Sequence, residues 1–276
     1  MASTARFLWQ RLEAFHGLIY FVPEADAEYT ALGLEPGRMG YFGSRAAAMG
    51  PVPAHVVVAT FFNFNPALVH AVVPEVWNRT SAPALWDARL RAVDGALVRL
   101  FGDRSQADDI ARAAELLRGA VGECLPDGRP LFAGHLAQQW PDAPHLALWF
   151  GITLLREYRG DGHIAALVNS GVSGIEALVL HGATGAVPSA VLQATRGWDD
   201  TSWASAEGAL RERGWLDESG ALTAAGRAHR DEVERVTDEL ATAPWAVLSD
   251  DDVAFLAALG KELSGTIAAA GTFPRR

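Results

Sequence analysis

An internal repeat constrains this chain more than any other feature, because a repeated unit sets the architecture before single elements are named. GPVPAHVVVAT, Gly50 to Thr60, lies over GAVPSAVLQAT, Gly185 to Thr195, at a shift of 135 residues. Six of the eleven columns are identical, where about one is expected by chance. The same shift places Phe15 on Phe150 and Ala31-Leu32 on Ala166-Leu167. Farther on, DDIA at Asp108 aligns with DDVA at Asp251 at a shift of 143, so the second half gains eight residues. RGWLDESGALTAAG, Arg213 to Gly226, is where they go, and it reads as a strand–turn–strand insertion that the first half lacks. The chain is therefore expected to divide into residues 1–135 and 136–276.

Each half carries helical signals in one order. Apolar residues recur at three- and four-residue spacing over Phe7–Val22 and His145–Tyr158, giving a lead helix in each. A second helix is expected over Met39–Met49 and Gly174–Thr184, and a third after Pro53 and Pro188. The fourth starts near Pro66 or after Asp199-Asp200, and ends at Trp77 or Gly214. A fifth covers Ala84–Phe101 and Ala224–Ala241, and a sixth follows the acidic caps at Asp108 and Asp250.

WASAEGALRERGWLDESGALTAAGRAHRDEVERVTDEL, Trp203 to Leu240, resembles the end of a MarR-type winged helix: recognition helix, short wing, LTxxG turn, long dimerisation helix. The whole chain also resembles actinobacterial helix-turn-helix proteins. The resemblance implies a mainly α fold, a tandem pair of degenerate MarR-like winged-helix units forming a single-chain pseudo-dimer, with a small β-wing in the second half only. MarR proteins are homodimers, so a chain that carries both units is expected to be a monomer.

Charge departs from that family's DNA-binding habit. The chain has 23 Lys+Arg against 33 Asp+Glu, a formal charge of −10, and an acidic surface opposes the counterion exchange that drives duplex binding. PALVHAVVPEVW, Pro66 to Trp77, carries no Lys or Arg and is apolar nearly all round, as buried helices are. The second recognition helix opens on Asp199 and Asp200, and its wing tip reads Asp217-Glu218-Ser219-Gly220. Nucleic acid is thus not expected as a partner. If it were one, Arg196, Arg211 and Arg213 are where charge reversal should matter.

The MarR plan implies a crevice between dimerisation helices and winged domain that binds small aromatic effectors, and four polar clusters fit its lining. His16 and Tyr20 lie four residues apart on one helix face, with Glu24 beyond, either as a satisfied core histidine with a rim carboxylate or as a proton-transfer pair. Tyr41, Phe42 and Arg45 sit in GYFGSRAAAMG, where the lone arginine requires a carboxylate, from Glu24 or from a ligand. Asn63 and Asn65 in TFFNFNP either cap a turn or present amides to a ligand. LLREYRGDGHIAAL holds Arg156, Glu157, Arg159, Asp161 and His163 within eight residues. There Gly160 and Gly162 are expected to break the helix, leaving either a solvated connection or an Asp161/His163 acid–base pair. Trp149 and Trp9 are placed to stack on a planar ligand, whereas Trp77, Trp86, Trp203, Trp215 and Trp245 fall on core spacings.

Eight histidines show no HxH, HxxxH or HExxH spacing, and no metal site is expected from sequence. No GxSxG, Walker or dinucleotide glycine pattern is present, Cys124 is the only cysteine, and no cofactor is indicated. No apolar run reaches the ~18 residues of a membrane span, and the N-terminus lacks a secretory pattern, so a cytoplasmic protein is expected. The leading expectation is a small-molecule-binding protein that has lost DNA binding, with an aromatic or amphipathic ligand. It extends to an enzyme for a secondary-metabolite-like substrate, with Asp161, His163 and His16 as catalytic candidates. A ligand-responsive MarR-type regulator and a ligand-free interaction scaffold are the alternatives.

Overall fold

The computed structural model describes residues 3–273, and these form fourteen α-helices with short 3₁₀ turns between them. The lead segment of the first half is α1 (Thr4–Gly17), a 3₁₀ turn over Leu18–Tyr20, and α2 (Pro23–Ala31). Pro23 ends the expected single helix, because its ring denies the preceding turn a donor and starts the next helix instead. Then follow α3 (Arg38–Ala46), α4 (Ala54–Phe61), α5 (Pro66–Arg79), α6 (Ala82–Phe101), α7 (Asp108–Gly122) and α8 (Pro130–Leu136). The second half runs α9 (Pro144–Asn169), α10 (Gly174–Gly182), α11 (Ser189–Arg196), α12 (Asp200–Glu212), α13 (Ala224–Leu240) and α14 (Asp250–Ala269). Apart from the lead segments and α8, which no repeat signal indicated, helices form where the aligned sequences place them.

Two expectations about local structure need correction. α9 does not break at Gly160 and Gly162; it runs on to Asn169. A helical glycine costs about 1 kcal/mol, and the burial of most of α9 outweighs that. Gly162 is needed for close approach, since a Cβ there would stand 2.8 Å from Arg129 Nη1. The β-wing is reduced to one antiparallel bridge, Leu216 to Leu222, closed by Asp217 N–H to Ala221 O at 2.9 Å and Thr223 N–H to Trp215 O at 3.0 Å. No strand forms among the described residues.

α9 lies at the centre, packed against α1, α7, α8 and α13, while α1 packs on α14. Each lead helix thus rests on the last helix of the other half. The central core draws on both halves, including Leu8, Phe15, Leu85, Leu97, Trp149, Phe150, Leu154 and Leu263, so neither half owns it. Two smaller cores sit outside it: Phe42, Val57, Phe61, Phe64 and Val69 under α3–α5, and Leu178, Leu192, Trp203 and Leu210 under α10–α12.

The α4–α5 and α11–α12 turns are bonded to each other. Asn65 N–H donates to Arg196 O at 3.0 Å, Asn65 Nδ2 to Gly197 O at 2.9 Å, and Trp198 Nε1 to Asn63 O at 2.9 Å. Both turns need a left-handed residue: Gly197, at φ 74°, supplies one, and at the position 135 residues earlier Phe62 adopts φ 57°, a conformation uncommon for a residue with a side chain. Gly174 closes the same junction, because a Cβ there would lie 2.1 Å from Phe62 O. Gly174→Ala is expected to lower unfolding free energy by more than ~2 kcal/mol through backbone displacement, read by urea denaturation; an unchanged midpoint would contradict the docked junction.

Candidate functional site

The site is built around Glu157, which the sixteen-residue run from His145 to Gly160 carries into the interior, where it is 1% exposed. Arg45, on the small-residue helix α3, meets it with a fork: Nε to Oε1 at 3.1 Å and Nη2 to Oε2 at 2.9 Å. Arg156 adds Nη1 to Oε2 at 2.8 Å. Burial alone would raise the Glu157 carboxyl, yet Arg156 and then Arg45 hold it well below the usual carboxylate range. The carboxylate that Arg45 requires is therefore Glu157. Glu24 is occupied elsewhere, bound by Arg99 through two hydrogen bonds at a partly exposed rim.

A hydrogen-bonded chain runs beside this pair. Thr153 Oγ1 donates to Trp149 O at 2.8 Å, so it accepts from His16 Nδ1 at 3.0 Å. That leaves His16 Nε2 as the acceptor facing the Tyr20 hydroxyl at 3.4 Å, and Tyr20 accepts from Arg89 Nη2 at 3.1 Å. Burial, reinforced by Arg156, pushes the His16 imidazole well below its ordinary value, so it is neutral. Trp149 stacks parallel to His16, 8° between planes, and donates its indole N–H to His16 O. It is fully buried and is part of the wall rather than a free stacking surface.

Arg89 is the functional residue that sequence reasoning missed. It is completely buried on α6, donates to Ser44 Oγ at 3.1 Å and to Tyr20, leaves Nε without a partner, and forms no ion pair among the described residues. Its signal was present: Leu85, Arg89 and Val93 follow one another at four-residue spacing on an otherwise apolar stripe. Arg196 was named only as a DNA contact. It reaches in from α11, lies 4.9 Å over the Phe64 ring, and also has an unpartnered, buried Nε and no carboxylate among the described residues. Burial lowers its pKa, and Arg45, Arg156 and Arg38 push the same way. Glu13, held by Trp9 Nε1 at 2.7 Å and 3.7 Å from Arg156, is pushed up by burial. Arg45 and Arg156 thus share Glu157, Arg156 also faces Glu13, and Arg89 and the half-buried Arg196, whose Nη1 donates to Thr195 Oγ1 at 3.0 Å, lie nearby without a carboxylate.

Tyr41 completes one wall, 5.1 Å from the Tyr20 ring and 5.5 Å from Phe64, while Phe42 is buried in the small core behind it. The remaining candidates lie elsewhere. Asn65 caps α5 and stitches the turns, and Asn63 contributes its carbonyl. Arg159 binds Asp238 and Glu234 on α13. His163 bonds Thr237 at 2.9 Å, whereas Asp161 accepts from Phe132 N–H at 2.9 Å. Two residues apart on a continuous helix, they face different neighbours and form no acid–base pair. Neither is a solvated linker residue, since Asp161 is 4% exposed. Among the described residues no group of three metal-ligating side chains converges. No single helix is long and apolar enough to cross a membrane. Between Trp9, Glu13, Arg156, Arg159 and Trp245 an indentation of about 20 Å³ reaches the edge of the cluster.

Two helix–turn–helix pairs, α4–α5 and α11–α12, held on a shared helical core, define the class of fold. The chain belongs to a helix-turn-helix family, which matches it over residues 5–274. No curated protein and no solved structure matches the chain.

Removing Glu157 would leave Arg45 uncompensated and Arg156 with only Glu13, at 3.7 Å. Glu157→Gln is expected to cost about 3–5 kcal/mol of stability, and the double variant Arg45→Met/Glu157→Leu to recover most of it in a double-mutant cycle. Additive losses would contradict the pairing.

Asp161 gives a pH signature. Burial raises its carboxyl from 3.8 to about 6, so between those values the folded state binds more protons than the unfolded chain and stability falls as pH rises. Asp161→Asn is expected to flatten the stability–pH curve over that window and to equal or exceed wild type at pH 7. A curve unchanged in slope would show that Asp161 titrates normally.

Proposed function

We propose that this chain is a small-molecule-binding protein on a helix-turn-helix scaffold that no longer reads duplex DNA, and that its ligand is an anion with an aromatic or amphipathic body. One observation carries the reading: beside the Arg45–Glu157–Arg156 cluster, Arg89 and Arg196 each hold a buried, unpartnered Nε and no anionic partner among the described residues. An uncompensated buried cation costs several kcal/mol, and a ligand carboxylate lodged beside Arg156 and Arg196, against Tyr20, Tyr41 and Phe64, would remove that cost. Entry requires Arg156 to swing, because the indentation beside it holds little more than a water. The Arg89–Tyr20–His16 chain supports an extension to catalysis, with His16 and Tyr20 as a proton-transfer pair.

The loss of DNA binding is supported by where the basic residues are. Arg196 is drawn into the cluster, Arg211 is paired with Glu207, and Arg213 is paired with Glu176 and donates to Gly171 O. Reading helices that serve two half-sites lie ~34 Å apart, whereas here one HTH turn is hydrogen-bonded to the other. The crosswise packing of α1 on α14 and α9 on α7 supports a tandem pair of MarR-like units, divided near residue 135, that form a monomeric pseudo-dimer. Family membership favours one second reading, a ligand-responsive regulator, whose mark would be duplex binding that weakens steeply with salt.

Benzoate and its neutral isostere benzamide test the leading reading by thermal shift. Millimolar benzoate is expected to raise Tm by a few degrees and benzamide to have no effect. Arg196→Met is expected to abolish the benzoate shift without lowering the Tm of the free protein, because it relieves repulsion. Equal shifts with both compounds, or no benzoate shift together with a destabilised Arg196→Met, would overturn it.

A further inference from the structure

A second, larger concavity lies away from the arginine cluster. It is a cleft of about 520 Å³ between the α3–α4 loop (Gly50, Pro51), the first turns of α6 (Pro83, Trp86, Asp87, Leu90) and the segment 138–142 that leads into α9. That volume falls within the ~300–1,000 Å³ of small-molecule sites. The walls are stiff: Pro51, Pro83 and Pro141 fix three of the lining backbones, and a preorganised wall spares a ligand the cost of ordering it.

Two indoles define the cleft's character. Trp86 and Trp140 meet the same Phe150 ring edge-on, at 5.9 and 5.1 Å, so both are held from behind by one buried aromatic. Trp140 already draws a cation: the Arg118 guanidinium lies 4.3 Å from its ring centre. Among the lining residues are two carboxylates, Asp87 and Asp142, and no Lys, Arg or His. Both carboxylates are exposed, and neither forms an ion pair among the described residues. The indoles that line the cavity, Trp86 nearly buried and Trp140 half-buried, and its free carboxylates attract the same chemistry, since both favour positive charge and the rings also cover apolar surface.

We infer that this cleft is a binding site for a small organic ammonium cation, seated against Trp86 and Trp140 with its charge toward Asp87 and Asp142. The site is distinct from the arginine cluster and does not depend on it: none of Arg45, Arg89, Arg156 and Arg196 lines the cleft.

The test compares choline with 3,3-dimethylbutan-1-ol, which has the same shape without the charge, by indole N–H NMR shifts assigned through Trp86→Phe and Trp140→Phe. Choline is expected to shift the Trp86 and Trp140 signals saturably, with the neutral alcohol at least about tenfold weaker. Asp87→Asn/Asp142→Asn, both exposed, is expected to leave Tm unchanged and to weaken choline about tenfold while leaving the benzoate response intact. The inference is overturned if the alcohol binds as well as choline, if no saturable shift appears at those two indoles, or if the double variant binds choline undiminished.

Discussion

The fork between Arg45 and Glu157 is the interaction on which the rest of the molecule depends. It joins α3, under the first helix-turn-helix pair, to α9, the central helix of the second half, and it does so 112 residues apart in sequence. Because both groups are buried, neither tolerates the loss of the other, and the two halves are held at one register by a polar contact rather than by apolar packing alone. A buried ion pair adds little net stability over an apolar equivalent. Its retention here is accounted for by Arg156, which shares its carboxylate, and by Arg89, buried nearby without an ion pair, which leave the interior a surplus of positive charge.

That surplus sits oddly in a chain whose formal charge is −10. The proposed anion site therefore sets buried arginines against an acidic whole, and an acidic surface opposes phosphate. On the helix-turn-helix elements Arg196 lies over the Phe64 ring, while Arg211 and Arg213 are paired with Glu207 and Glu176. The turns are bonded to each other, and Asn65 spends its amide on Gly197 O and its carboxamide oxygen on the α5 cap.

The helices were legible because their signals are local: Pro53, Pro66, Asp108 and Ser173 mark starts that need only their own turn. The part of the site that the sequence indicated was likewise local, a polar residue on an apolar stripe, which found His16, Tyr20, Arg45 and Arg156. Partner identity was not legible. Glu24 and a ligand were the partners considered for Arg45 on paper, and only the fold, which brings Glu157 to it from 112 residues away, decides the matter. The helix break at Gly160 and Gly162 failed because glycine propensity is weak beside the burial of a long helix and the room that Arg129 needs. Asp161 and His163 looked like a pair only while the segment was taken for a loop; on a helix, residues two apart diverge.

The central claim is that the two helix-turn-helix units face each other instead of DNA. It is tested most directly by the distance between spin labels at Ala67→Cys and Thr201→Cys, on the first turns of α5 and α12. Cys124 does not compete for label, since it is buried and its thiol is pushed up to about 12. The account predicts a single short distance, well inside the ~34 Å between successive major grooves and unchanged by added duplex. A population near that groove spacing, growing as duplex is added, would contradict it.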